Sequence, residues 1–105
     1  MSTVAVLDAD IRVRPLGADS LHGFDWEAIA GSAQYAEMAR RAGVESEVQA
    51  VMWISPEGEP TAVQVSGSPY GFFREEAERV LRAATYAPAP GRWVFVEAAV
   101  EFRLR

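Results

Sequence analysis

The 105-residue chain has no cysteine, no lysine and no asparagine, and it has a single histidine. Without cysteine it can form no disulfide, no thiolate nucleophile and no cysteine metal site, so both the cytoplasm and the periplasm stay open as compartments. All ten of its cations are arginine, and the formal net charge is −5. A nucleic-acid surface relies on clustered cations that displace counterions. We therefore expect no nucleic acid among the partners.

Long apolar runs are also missing. No stretch approaches the roughly 18 residues that a membrane-spanning helix needs, and the N-terminus has no basic region followed by an apolar one. We expect no direct insertion into a membrane. Half of the residues are apolar, which suffices for one small core, so residues 1–105 are interpreted as a single domain.

The first regular pattern lies near the N-terminus. Apolar and charged residues alternate from Leu7 to Val13, within a longer stretch that starts at Val4, and this predicts a half-buried strand. The strand and the loop after it occupy residues 1–24. Asp25 then caps a helix that ends at Ala42, in which Gly31 costs about 1 kcal/mol relative to alanine and marks where a break would fall.

Three further elements follow. Val48–Ile54 and Thr61–Val65 flank a Pro/Gly turn and predict a hairpin. Apolar residues recur at helical spacing from about Tyr70 to Ala84, which predicts an amphipathic helix. The last strand runs from Arg92 to Leu104. Its alternation places one set of residues in the core, namely Val94, Val96, Ala98, Val100, Phe102 and Leu104. The order of strands and helices predicts an α+β fold.

Candidates for catalysis are few. His22 lies three residues from both Asp19 and Asp25, so a carboxylate-held general base is imaginable. A solvent-facing loop histidine is the better interpretation, because no serine or threonine lies in a recognisable nucleophile motif. We predict no catalytic residue, no enzyme activity and no cofactor.

Two other clusters have simpler explanations. Asp8 and Asp10 share a strand face, as metal-binding carboxylates do, but Arg12 and Arg14 share the same face and would neutralise them. Three tryptophans suggest an aromatic cage, yet a small core needs large side chains, so packing in or at the edge of the core is expected for all three. They are Trp26, Trp53 and Trp93. We predict no metal site.

A series of short signals runs in one order from residue 35 to residue 104. An opening tyrosine is followed by an alanine and a glycine, then by a glycine turn with valine alternation, a Ser-Gly, an aromatic-x-Pro-Ala motif and a final aromatic. The residues are Tyr35, Ala42, Gly43, Gly58, Val63, Val65, Ser66, Gly67, Tyr86–Ala89 and Phe102. In order and spacing this part of the chain resembles the TonB C-terminal domain family.

Departures from the family pattern indicate a divergent member. Ala36 replaces the proline that follows the opening tyrosine, and Ser46 stands where a glycine usually opens the hairpin. Ser32 stands where well-studied members have a partner-contacting glutamine, so that contact is not carried over. The family's inner-membrane helix and Pro-rich spacer are not in this sequence. An excised domain and a stand-alone relative both stay open.

The resemblance implies two helices packed on one face of a small, mainly antiparallel sheet, as in TonB and TolA C-terminal domains, here with an extra N-terminal strand. It also implies a periplasmic protein-interaction module that binds an extended peptide of a TonB-dependent outer-membrane receptor by strand addition, in the energy-coupled uptake of siderophores or cobalamin. The last strand is the candidate edge. The implied peptide-binding residues are Arg92, Trp93, Phe95, Glu97, Ala99, Glu101 and Arg103.

Alternatives concern the use of that edge. The chain is also consistent with a stand-alone adaptor or a homodimer that uses the same edge without a transport role. The N-terminal strand must bury its apolar face, and we expect it to pair with a sheet edge. If it takes the edge of the last strand, the peptide site is already filled, and the segment either blocks binding or exchanges with a partner. If it takes the other edge of the sheet, or pairs with a second copy of the chain, the peptide site stays open.

Overall fold

The computed structural model of the protein describes residues 7–17 and 23–105. Within these ranges lie four strands and three helices: β1 (Ala9–Pro15), α1 (Trp26–Gly31), α2 (Glu37–Arg41), β2 (Ser46–Ile54), β3 (Pro60–Ser66), α3 (Gly71–Ala83) and β4 (Val94–Leu104). The strands form one antiparallel sheet in the order β1-β4-β2-β3. The predicted α+β fold is confirmed. The beginning of the predicted first strand, from Val4 to Val6, lies outside the described residues.

The helix predicted from Asp25 to Ala42 is two short helices, α1 and α2, and the break falls after Gly31. The Asp25 carboxylate caps α1 by accepting from the Ala28 amide at 3.0 Å. Side chains of α3 hold the segment between the two helices. Glu76 Oε2 accepts from the Gln34 amide at 2.7 Å, and Arg79 donates to the Ser32 carbonyl at 3.1 Å.

The β2–β3 hairpin turns at residues 55–59. The Ser55 hydroxyl accepts from the amides of Glu57 and Glu59, at 3.3 and 3.1 Å, and its buried position fixes the turn. Gly58 has a φ of 88°, and a Cβ at this position would lie 2.4 Å from the Tyr86 carbonyl oxygen. Only glycine therefore fits here without movement of the backbone.

One face of the sheet carries the core. The amphipathic stripe of α3 is buried as predicted, through Phe73, Ala77, Val80 and Leu81. From β4 the core receives Val94, Val96, Ala98, Val100 and Phe102, all at most 1% exposed. Tyr86 closes the C-terminal end of α3, because its buried hydroxyl donates to the Leu81 carbonyl at 2.6 Å. Burial raises the pKa of the Tyr86 phenol well above its usual value.

The outer strand β3 is irregular. Its register with β2 shifts between Val51 and Trp53, and Ala62 has a φ of 51°, which a non-glycine residue rarely adopts. β3 also starts at a proline, and Arg82 donates to the Val63 carbonyl at 3.4 Å. These features make β3 a poor template for a further strand.

Candidate peptide-binding edge

The N-terminal strand β1 pairs antiparallel with β4, from Ala9 opposite Leu104 to Pro15 opposite Ala98. The expectation that this segment pairs with a sheet edge is therefore confirmed, over residues 9–15. Asp8 and Arg105 exchange two main-chain hydrogen bonds of 2.8 and 3.0 Å, and the Leu16 amide donates to the Glu97 carbonyl at 2.9 Å. Main-chain groups alternate sides along an antiparallel strand. The odd-numbered residues of β4 from 97 to 103 therefore bond to β1, and the even-numbered ones bond to β2.

The last strand, which is the candidate edge, does not lie at the edge of the sheet over residues 98–104, because β1 pairs with one side of it and β2 lies on the other. The physical reason is the apolar face of β1. Val13 is buried and Ile11 packs against the core, so pairing with β4 removes both side chains from water. Towards Val94, the pairing of β1 with β4 within the described residues ends at the Leu16–Glu97 hydrogen bond.

On the outer face of the sheet, ion pairs join charged side chains of β1 to residues of β2, of β4 and of the C-terminus. Arg14 lies 3.2 Å from Glu101 on β4 and 3.6 Å from Glu47 on β2, and Arg105 lies 3.3 Å from Asp10. Arg103 lies 3.8 Å from the same Glu47. Exposed pairs of this kind are each worth about 0–1 kcal/mol, so they favour one register of β1 more than they stabilise the fold.

The seven residues expected to bind peptide are divided by the point where β1 ends its pairing with β4. Arg92 and Trp93 precede β4, Phe95 and Glu97 lie near its start, and the other three lie opposite β1. Ala99 is fully buried, Glu101 is half-buried, and Arg103 is exposed. The main-chain groups of Ala99, Glu101 and Arg103 meet a peptide only if β1 leaves.

An aromatic patch lies on the outer face at the start of β4. Trp53 and Phe95 are paired across β2 and β4 with ring centroids 5.0 Å apart, and they are 44% and 36% exposed. Trp93 is 54% exposed, whereas Trp26 packs against the core. The prediction that Trp53 and Trp93 pack in the core or at its edge is wrong, because both rings are exposed on the outer face and neither packs against the core cluster. The signal was present in the strand pattern, since Trp53 is in phase with Glu47 and Gln49 on the polar side of β2.

A groove of about 620 Å³ lies between β1 and α1, lined by Ile11 and Val13 on the strand and by Trp26 and Ala30 on the helix. On the main chain of β1 the even-numbered residues bond to β4, so the amides and carbonyls of Ala9, Ile11 and Val13 point away from β4. The sequence does not predict this groove, because the groove depends on where α1 packs against β1.

The sequence offers two further candidate clusters, one around His22 and one at Asp8 and Asp10. His22 and Asp19 lie outside the described residues. Asp10 pairs with Arg12 and Arg105, and Asp8 lies 3.7 Å from Arg40. In the part of the chain that the structure describes, no three His, Asp or Glu side chains converge on a metal-sized site. Within residues 7–17 and 23–105 no helix is long and apolar enough to cross a membrane.

Tyr35 packs against the C-terminal end of β4 on the core face of the sheet. Its hydroxyl donates to the Val44 carbonyl and lies 3.4 Å from the Phe102 carbonyl, and its ring packs edge-on against Phe73 and Phe102. Burial, with a smaller contribution from Glu45, raises the pKa of Tyr35. The opening tyrosine of the resemblance is therefore a structural residue that anchors β4.

A small antiparallel sheet with helices on one face, and with a final strand that lies between β1 and β2, defines an α+β domain. The family described as Gram-negative bacterial TonB protein C-terminal matches residues 32–104, and the chain belongs to this TonB C-terminal domain family. It is a family of non-enzymatic energy-transducing and interaction domains, with protein partners and a periplasmic location. No curated protein sequence matches the chain. β1 lies outside the matched residues.

Proposed function

We propose that this domain binds an extended peptide of an outer-membrane receptor by strand addition to β4, and that β1 is the built-in competitor for the same edge. The observation that carries the proposal is the pairing of β1, a segment outside the family match, with the last strand of the family domain. β1 serves as an internal example of the ligand that this edge accepts. It is extended, antiparallel to β4 and held by main-chain hydrogen bonds.

The chemistry of β1 suggests what a competing peptide needs. Apolar side chains at alternate positions, like Ile11 and Val13, would fill the space beside Phe102 and Val100, their partners on β4. On the other face, an acidic residue at the place of Asp10 would meet Arg105, and a basic residue at the place of Arg14 would meet Glu101. Main-chain hydrogen bonds supply affinity, while the alternate side chains supply selectivity.

Competition from β1 sets the apparent affinity. A tethered strand is present at high effective concentration, so a free peptide must bind well enough to displace it or must wait for the fraction of molecules in which β1 is detached. The exposed pair of Trp53 and Phe95 offers a first contact beside the start of β4, where the pairing with β1 ends. We place this function in the periplasm, in energy-coupled uptake of siderophores or cobalamin.

The test is a titration of peptides from the N-terminal boxes of TonB-dependent receptors of the source cell. Each peptide is added to the full chain and to a chain without residues 1–15, and amide shifts are followed by NMR. We expect tighter binding to the shortened chain, with shifts concentrated on β4. Shifts confined to the helices, or no binding to either chain, would contradict the proposal.

A stand-alone adaptor role is the second candidate, and the filled edge is the observation that favours it. If β1 is never displaced by a receptor peptide, exchange of β1 between two copies would use the same β4 edge to join them. Deletion of residues 1–15 would then abolish the dimer without creating a peptide site. Measurement of mass in solution for both chains separates this outcome from peptide binding.

A further inference from the structure

The side of β1 that faces away from β4 is a regular strand edge. Ala9, Ile11 and Val13 direct their main-chain groups there, and within the described ranges no strand lies on that side of β1. This edge contrasts with β3 at the other side of the sheet, which is blunted by a bulge, a proline and Arg82. On this side the ladder is limited by Pro15, which has no N–H, and by Arg40, which donates to the Leu7 carbonyl just before β1 at 2.6 Å.

The charges along β1 are self-complementary. Two acidic residues precede Ile11 and two basic residues follow it at every second position: Asp8, Asp10, Arg12 and Arg14. When two such strands run antiparallel about a two-fold axis at Ile11, Asp10 lies opposite Arg12 of the second copy and Asp8 lies opposite Arg14. All four cross-strand pairs then join opposite charges.

Other registers are less favourable. A two-fold axis at Arg12 places that arginine against its own copy, and an axis at Asp10 places two carboxylates against each other. A slip of one residue in the pairing would turn the apolar face of the second strand to solvent, so it is excluded. The registers centred on Asp10 and on Arg12 keep both apolar faces on the same side of the sheet, and they are therefore the alternatives to the register centred on Ile11. The charge pattern therefore selects the register centred on Ile11.

We propose that β1 pairs antiparallel with β1 of a second copy of this chain, centred on Ile11, to form a continuous eight-stranded sheet. Hydrogen-bonded pairs join Ala9 to Val13 in both directions and Ile11 to Ile11, which gives about six main-chain hydrogen bonds. The charged pairs fall at the non-hydrogen-bonded positions, where opposing side chains come closest.

The groove beside β1 receives the apolar face of the second strand. Ile11 and Val13 line it on one side, and Trp26 and Ala30 line it on the other. Ile11 and Val13 of the second copy would enter this space on the same face of the sheet. The side chains of Arg12 and Asp8 are 67% and 91% exposed, so both are accessible to a partner.

The dimer forms on the side of β1 that faces away from β4, whereas the receptor peptide is proposed to add to β4 itself. The test of the dimer contains no peptide. In the dimer each β1 lies between β4 and the second β1, which holds it in place. Displacement of β1 from β4 by a receptor peptide would detach this contact from the sheet, so peptide binding and dimer formation oppose each other. The mass of the chain in solution therefore tests the dimer, and the peptide titration separately tests the proposed function.

A charge exchange between two chains tests the pairing. Asp10→Arg and Arg12→Asp are made in separate full-length chains, and the mass of each chain in solution is measured by sedimentation, with unfolding curves as a check of folding. Each variant alone places like charges opposite each other and should be mainly monomeric. In their mixture the introduced arginine of one chain lies opposite the introduced aspartate of the other, so the mixture should form a dimer, whereas wild type should dimerise alone. Glu57→Arg, in the exposed hairpin turn, makes the same charge change as Asp10→Arg and is its control.

A second variant leaves the charges untouched. Ala9→Pro removes a donor that points away from β4, so β1 stays paired within its own chain while the dimer loses one bond at each end. We expect the dimer to dissociate at least about tenfold more readily. Monomeric wild type at NMR concentrations would overturn the proposal. So would a dimer that is indifferent to Ala9→Pro and to the charge exchange, since its interface would lie elsewhere.

Discussion

Arg14 of β1 donates from Nε to Oε1 of Glu101 on β4 at a distance of 3.2 Å. The contact joins residues 87 positions apart in the chain and links a segment outside the family match to the final strand of the family domain. Together with the register from Ala9 to Pro15, it makes β1 an intramolecular strand added to the TonB C-terminal fold. The properties of the edge therefore depend on how firmly β1 is held.

The packing of α3 predicts the cost of shortening a core side chain. Leu81 is fully buried, whereas Phe72 on the same helix is 42% exposed. Leu81→Ala should lower the free energy of unfolding by about 2–5 kcal/mol, because it removes buried methyl groups and leaves a cavity. Phe72→Ala is the control and should cost clearly less. Denaturant unfolding of the two variants with equal losses would contradict the orientation of α3.

The hairpin turn predicts a difference between two glycines that both have positive φ. Gly91 has a φ of 74° and open space where a Cβ would lie, so Gly91→Ala should cost about 1–2 kcal/mol for the backbone alone. Gly58→Ala adds a clash with the Tyr86 carbonyl at 2.4 Å and should cost more. Unfolding curves that rank the two variants in the opposite order would mean that the turn does not pack against residue 86 as described.

The contact between α3 and the α1–α2 connection predicts an acid-dependent loss of stability. The hydrogen bond from Arg79, together with the one from the Gln34 amide, lowers the pKa of Glu76. A carboxyl with a lowered pKa in the folded state stabilises the fold above its unfolded pKa, and this contribution is lost as the pH falls through the folded pKa. Glu76→Gln should therefore reduce stability at neutral pH and make little difference in acid.

Glu78→Gln is the matched control on the same helix. Glu78 pairs with Arg82 at 3.3 Å, but its side chain is 40% exposed, against 18% for Glu76. Thermal unfolding from neutral pH into acid should show a gap between wild type and Glu76→Gln that closes as the pH falls. A gap that stays constant with pH would show that the carboxylate charge is not the cause.

Alkaline pH tests the buried phenol of Tyr86. Its raised pKa means that the unfolded chain ionises from about pH 10 while the folded chain stays neutral, so stability is complete below that pH and is lost as the pH rises above it. Tyr86→Phe should cost about 1 kcal/mol at neutral pH, because the Leu81 carbonyl loses its donor. The variant should also lose stability less steeply above pH 10. An identical slope for both proteins would contradict the buried position of the hydroxyl.

Local pattern was sufficient for most of the fold. The alternation in residues 94–102 and the helical spacing from Phe73 to Leu81 identified most of the buried side chains, because burial follows the period of an element. Leu104 is only half-buried, and Ala99, in the opposite phase of β4, is buried as well. Gly31 indicated the break between α1 and α2, since glycine weakens a helix interior. The hairpin was readable from its Pro/Gly turn.

The site was less predictable because it depends on strand order. Nothing in residues 9–15 specifies which strand they join, and the alternation would be the same beside β3 or β4. The position of β4 inside the sheet, and with it the filled edge, follows only from the long-range pairing. The exposure of Trp53 and Trp93 does not follow from their size, which favours burial, whereas the phase of Trp53 in β2 indicates the outer face.

The most direct measurement is amide hydrogen exchange along β4. The amides of Ala99, Glu101 and Arg103 point to β1, whereas those of Ala98, Val100 and Phe102 point to β2 and serve as an internal control. Exchange is compared between the full chain and a chain without residues 1–15, with and without a synthetic peptide that copies residues 7–16. We predict that deletion exposes the odd-numbered amides alone and that the peptide restores their protection. Methylation of the peptide amide at Arg12, which faces β4, should abolish this effect, whereas methylation at Val13, which faces away, should not. Odd-numbered amides that remain protected after the deletion, or that the peptide fails to protect, would contradict the account of β4 as a strand-accepting edge occupied by β1.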